Sequence, residues 1–108
     1  MAIKYLIDSN VIIYHLNGDA RATDFLRQHI QQSAISQITY LEVLSFAYHE
    51  QAAKLVQAFL DQFVLLDMTK PITLACIENR KRKKIKVPDN IIAATAQVHQ
   101  LTLVTHNI

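Results

Sequence analysis

With one cysteine, Cys76, the chain cannot form an internal disulfide, and a reducing cytoplasm is the expected compartment. In a helix-like segment that thiol reads as a small core residue rather than a nucleophile. No apolar run reaches the roughly 20 residues needed to cross a bilayer, so no membrane role is expected. The N-terminus also lacks the basic-then-apolar order of a signal peptide. The scattered histidines, His15, His29, His49, His99 and His106, offer no zinc-like spacing, and His106 beside the last strand candidate is the one of interest. Repeats, low-complexity stretches and linkers are missing, so residues 1–108 read as a single domain.

What the chain does have is apolar material in an alternating plan. Hydrophobic residues make up 51% of it, enough for one core. The organising stretch runs from Ile3 to Ile13: an apolar strand changes character at Asp8, and Ser9 and Asn10 are residues that open helices. Val11, Ile12, Ile13 and Leu16 form the apolar side of a short helix that Gly18, the only glycine, can end. Ala22, Phe25, Leu26 and Ile30 share a helical stripe between Asp19 and Gln32, and Ala34-Ile35-Ser36 is a brief strand candidate.

From Ile38 to about Phe63 the pattern is helical without glycine or proline, which predicts an antiparallel helix pair turning near His49 to Gln51. Its clearest stripe is Ala52, Leu55, Val56, Phe59, Leu60 and Phe63. Val64-Leu65-Leu66 is the third strand candidate. Pro71 and Pro88 each suit the first turn of a further helix, and Leu101 to Thr105 reads as the last strand. Strands alternating with helices predict an α/β fold: a mostly parallel central sheet wrapped by helices.

The net charge of +2 conceals an asymmetry. Six of the eleven bases lie between Arg80 and Lys86, and the remaining five face nine acids, leaving the rest of the chain at −4. One basic block on a mildly acidic body fits a polyanionic partner, and it fits a solvated helix end equally well.

Three acids, Asp8, Glu42 and Asp89, fall at or near helix starts. Singly, each has a plain explanation. Thr39-x-x-Glu42 fits a capping box, Asp89 after Pro88 is a first-turn acid, and Asp8 can cap its own helix. Together, at one end of a sheet, they would repel one another unless a hard cation such as Mg²⁺ or Mn²⁺ sat between them.

Three segments carry a resemblance: Ile7-Asp8-Ser9-Asn10-Val11-Ile12, Ile35 to Leu44, and Val87 to Ala96. In order and over nearly the whole chain they resemble the signature segments of PIN-domain ribonucleases, above all VapC-type toxins of bacterial toxin–antitoxin pairs. The resemblance implies a three-layer α/β/α fold and metal-dependent hydrolysis of RNA phosphodiesters, with tRNA, rRNA or mRNA as target. It also implies a cognate antitoxin and a homodimer, which the Leu41–Phe63 hairpin would support. Carried over, Asp8, Glu42 and Asp89 match the residues that bind Mg²⁺ or Mn²⁺, with Glu42 a ligand or an orienter of the attacking water. Asn107 would assist as a neutral ligand.

Asn10 matches a polar residue that supports Asp8, Ser9 or Thr105 would hydrogen-bond a phosphate, and Arg80, Arg82, Lys83 and Lys84 would track the RNA backbone. The departure from the family pattern is at the C-terminus, where the segment that usually follows Asn107 is missing. That shortening favours a second expectation, a catalytically impaired PIN-like domain that binds RNA or a partner. A phosphoacceptor domain fits worse, since it expects paired acids after the first strand and a lysine after the last.

Overall fold

Residues 2–105 are described by the structure, a computed structural model. Strand β1 (Tyr5–Ile7) is followed by helices α1 (Ser9–Leu16) and α2 (Ala20–His29), and a 3₁₀ turn over Ile30–Gln32 leads into β2 (Ser33–Ser36). Helices α3 (Gln37–Leu44) and α4 (Glu50–Leu60) precede β3 (Val64–Leu66), and α5 (Lys70–Arg82) and α6 (Val87–His99) precede β4 (Thr102–Val104). The sheet order is β3-β2-β1-β4, and every pairing is parallel.

Alternation along the strands divides the core. Leu6 and Ala34 face one side, where Ile92 and Ala96 of α6 cover them. Ile7 and Ile35 face the other, against Val11 and Ile12 of α1, Leu26 of α2, Val43 of α3, and Val56 and Leu60 of α4. Helix α5 packs on α6. The result is the expected three-layer α/β/α arrangement. The chain adds β2 and β3 on one side of β1 and returns to place β4 on the other, so strand order reverses beside β1. In open α/β sheets such a reversal leaves a crevice outside the carboxyl ends of the strands, and ligands bind there.

Local chemistry sets the element ends. Gly18, at a φ of +89°, follows α1 in a left-handed conformation that a side chain would resist. Pro71 and Pro88 stand in the first turns of α5 and α6, as their missing amides allow. The predicted turn at His49 to Gln51 lies earlier: α3 stops at Leu44 and α4 begins at Glu50. Ser45 Oγ donates to Leu41 O (2.6 Å) and the Tyr48 hydroxyl to Val43 O (2.8 Å), occupying carbonyls that further helix would have used. Leu55, counted in the apolar stripe of α4, is 68% exposed. The capping box at Thr39 is also displaced. Ser36 caps α3 by accepting the Thr39 amide (3.2 Å), which frees Thr39 and Glu42 from that duty.

Candidate metal centre

Asp8 is the first residue past β1. Its amide donates to Val104 O across the sheet (3.0 Å), so its side chain emerges at the strand-order reversal. Glu42 lies in α3, and Asp89 in the first turn of α6. Because α3 touches both α1 and α6, the three acids come to line one depression, together with Ser9, Asn10, Ile13, Leu41, Ser45, Phe46 and Ile92. The hollow has a volume of about 350 Å³.

The three are not equivalent. Burial pushes the Asp8 carboxyl above its ordinary range, and the nearby charge of Asp89 pushes the same way. The backbone amides of Asn10 and Ser9 pull it down, and they lose. The two amides therefore do not offset the burial of this acid. Glu42 is tied down instead: its Oε1 accepts from Ser9 Oγ at 2.9 Å. Among the described residues no group of three or more His, Cys, Asp or Glu side chains is arranged so that it could hold a metal ion, so the three acids share the depression without forming a ready-made three-acid site.

The family model of the PIN domain matches residues 5–108. The chain belongs to the PIN domain family. Its structure is similar to that of a toxin–antitoxin complex from Klebsiella pneumoniae at 34% identity, with a TM-score of 0.87 over 96% of this chain and 87% of that one. FitAcB from Neisseria gonorrhoeae is 26% identical, with a TM-score of 0.80, and 95% of this chain and 87% of that chain are covered. VapBC2 from Rickettsia felis, solved with a DNA fragment from its promoter, shares the fold at 22% identity and a TM-score of 0.78, covering 97% of this chain and 89% of that one. No curated protein matches the chain.

The remaining candidate residues of this PIN domain are less concentrated. Asn10 is exposed on the rim of the depression. Ser9 lines it but is buried, its hydroxyl engaged with Glu42 and with Thr39 Oγ1 (2.9 Å), so it is not a free phosphate donor. Thr105 follows β4 directly and is exposed, while Asn107 and His106 lie outside the described residues.

None of the basic block lines the acidic depression. Arg80 donates to Ile85 O (3.3 Å) and Lys81 pairs with Glu78 (3.3 Å), whereas Arg82, Lys83 and Lys84 are exposed. Arg80 and Lys81 flank a separate apolar groove between α5 and α6. Sequence reasoning missed Thr39 and Ser36 as parts of the site. The available signal was hydroxyl residues three and six positions before Glu42, inside an otherwise apolar stretch.

Proposed function

We propose that this PIN domain is a divalent-metal-dependent endoribonuclease, the toxin of a toxin–antitoxin pair. The observation that carries the proposal is the convergence of Asp8, Glu42 and Asp89, from three separate elements, on one depression at the strand-order reversal. The donors are all carboxylate oxygens, the kind that Mg²⁺ and Mn²⁺ accept. Asp8 and Asp89 repel each other without a cation between them, which is the electrostatic condition for binding one. Mg²⁺ keeps several waters and needs only one or two protein carboxylates plus substrate phosphate, so Asp8 and Asp89 suffice for the proposed site without a three-acid group.

Asp8 and Asp89 would hold the ion, with Asn107 as a neutral donor. When bound, the ion stabilises charge on the phosphate oxygens and lowers the pKa of a water. Glu42, fixed by Ser9, orients the attacking water through the carboxylate oxygen that Ser9 does not take. Thr105, leaving the sheet beside Asp8, and Asn10 on the rim bind phosphate.

Phe46, 53% exposed beside the acids, offers a ring on which an unpaired base can stack, which favours single-stranded RNA of tRNA, rRNA or mRNA. Arg80, Arg82, Lys83 and Lys84 track the backbone beyond the cleavage point. The Klebsiella relative is a toxin–antitoxin complex, which supports a cognate antitoxin as partner. A homodimer in the cytoplasm completes the reading; no helix among the described residues is long and apolar enough to cross a membrane.

Incubation with single-stranded RNA and Mn²⁺ tests this directly. Cleavage should appear with the metal, stop with a chelator, and be lost in Asp8→Asn and in Asp89→Asn. Cleavage that survives both substitutions overturns the assignment. That no three of the described acids, histidines or cysteines are arranged to hold an ion favours one second reading, a domain that binds RNA or a partner without cutting it. RNA binding with no cleavage under any divalent ion selects that reading.

A further inference from the structure

Ser36, Thr39 and Ser9 put three hydroxyls into the interior, where Thr39 is fully buried, Ser36 is 1% exposed and Ser9 6% exposed. An unpartnered hydroxyl in such surroundings is costly, and valine in place of threonine or alanine in place of serine would avoid that cost. Partners exist here, and they form a line. Ser36 Oγ is 3.3 Å from Thr39 Oγ1, Thr39 Oγ1 is 2.9 Å from Ser9 Oγ, and Ser9 Oγ is 2.9 Å from Glu42 Oε1.

The direction follows from what each group can do. A carboxylate only accepts, so the single proton of Ser9 goes to Glu42. Ser9 Oγ then accepts from the Thr39 hydroxyl, and Thr39 Oγ1 from the Ser36 hydroxyl. Ser36 Oγ accepts the Thr39 amide at 3.2 Å. Every hydroxyl gives one proton and takes one. The cap of α3 needs only the last of these bonds, so capping leaves the Thr39 and Ser9 hydroxyls unexplained.

We propose that Thr39, acting through Ser9, is a positioning residue for Glu42. Its hydroxyl orients Ser9, and Ser9 immobilises one carboxylate oxygen so that the other is presented to the reacting water. Ser9 adjoins Asp8 in the chain, and Thr39 is one helical turn before Glu42. The pair therefore locks the metal-binding acid at the start of α1 to the water-orienting acid on α3. This inference rests on the nuclease reading for its consequence, but the hydroxyl line itself is testable without activity.

The substitutions are Thr39→Val, which keeps shape and removes the hydroxyl, Thr39→Ser, which restores it, Ser9→Ala and Glu42→Gln. All are made in the full chain, with folding checked by circular dichroism. On single-stranded RNA with Mn²⁺, Thr39→Val and Ser9→Ala should each lower kcat about 10–100-fold with KM unchanged, as removing a supporting hydrogen bond from a metal-site residue typically does. Thr39→Ser should recover most of the rate, and adding Thr39→Val to Glu42→Gln should cost nothing further.

In the metal-free chain, the side-chain carboxyl ¹³C resonance of Glu42 should move in Thr39→Val and return in Thr39→Ser. A resonance unmoved in folded Thr39→Val and Ser9→Ala overturns the positioning role, as do kinetic losses that add to that of Glu42→Gln. If the parent chain does not cleave at all, the nuclease reading fails, and the resonance still decides whether Thr39 orients Glu42.

Discussion

Asp8 is where burial, a like charge and backbone amides act on a single group, and the first two prevail, raising its pKa. A carboxyl raised in this way binds its proton more tightly in the folded state than in the unfolded one. The stability tied to it is fully present below the unfolded value of 3.8 and is lost as pH rises through the folded pKa. At neutral pH the ionised group therefore costs stability. Asp8→Asn should raise Tm at neutral pH without divalent ions, and the gain should vanish below pH 3.8. Thermal scans of the two proteins across that range check it; a Tm lowered at neutral pH would show that the amide hydrogen bonds outweigh the charge. Phe46 provides a second prediction at this scale. Phe46→Ala should weaken binding of single-stranded RNA by about 1–3 kcal/mol, the worth of one stacked base, while Mn²⁺ affinity measured by calorimetry stays put. Asp8, Glu42 and Asp89 were legible as candidates because acids at helix starts stand out against an apolar sequence. Thr39 was not legible, because a threonine three residues before a glutamate reads first as a cap.

Between elements, α5 and α6 are joined by a polar tie centred on the buried Asn90 rather than by apolar packing alone. Asn90 donates to Cys76 O (2.9 Å) and accepts from Asn79 (3.0 Å), which also reaches Gln97 (3.0 Å). Asn90 is next to Asp89, so the tie fixes the turn that presents that acid. Asn90→Ala removes the bonds to Cys76 O and from Asn79 and should cost about 0.5–1.5 kcal/mol for each, read as a lowered urea midpoint with unchanged slope. Helix α5 then runs out into the basic block. Alanine at Arg80, Arg82, Lys83 and Lys84 together should weaken RNA binding and flatten its dependence on salt, by a slope of about 0.7 for each phosphate no longer neutralised. Metal affinity should not change, and an unaltered salt slope would make the block a solvated helix end. Helix existence was legible from periodicity throughout. The break between α3 and α4 was misplaced because two side-chain bonds from Ser45 and Tyr48 to the backbone set it, and neither carries a periodic signal.

For the molecule as a whole, the depression at the strand-order reversal should make folding responsive to divalent ions. Mn²⁺ binding only the native state adds about 2.7 kcal/mol at one hundred times its dissociation constant. The parent chain should show a concentration-dependent rise in Tm that Asp8→Asn and Asp89→Asn lack, and equal rises in all three would place the ion elsewhere. The alternation of strands and helices, the parallel sheet and the three candidate acids could be read before any folding was known, since these follow from apolar period and from residue types that end one element and open the next. Folding alone revealed that strand order reverses beside β1 and that Glu42 is held by a line of hydroxyls. It also revealed that burial disfavours the charged form of Asp8 while Arg80 to Lys84 stand apart from the acids. The physical reason is that periodicity is a local property of the chain. Charge repulsion, burial and shared protons arise only between groups that folding brings within a few ångströms.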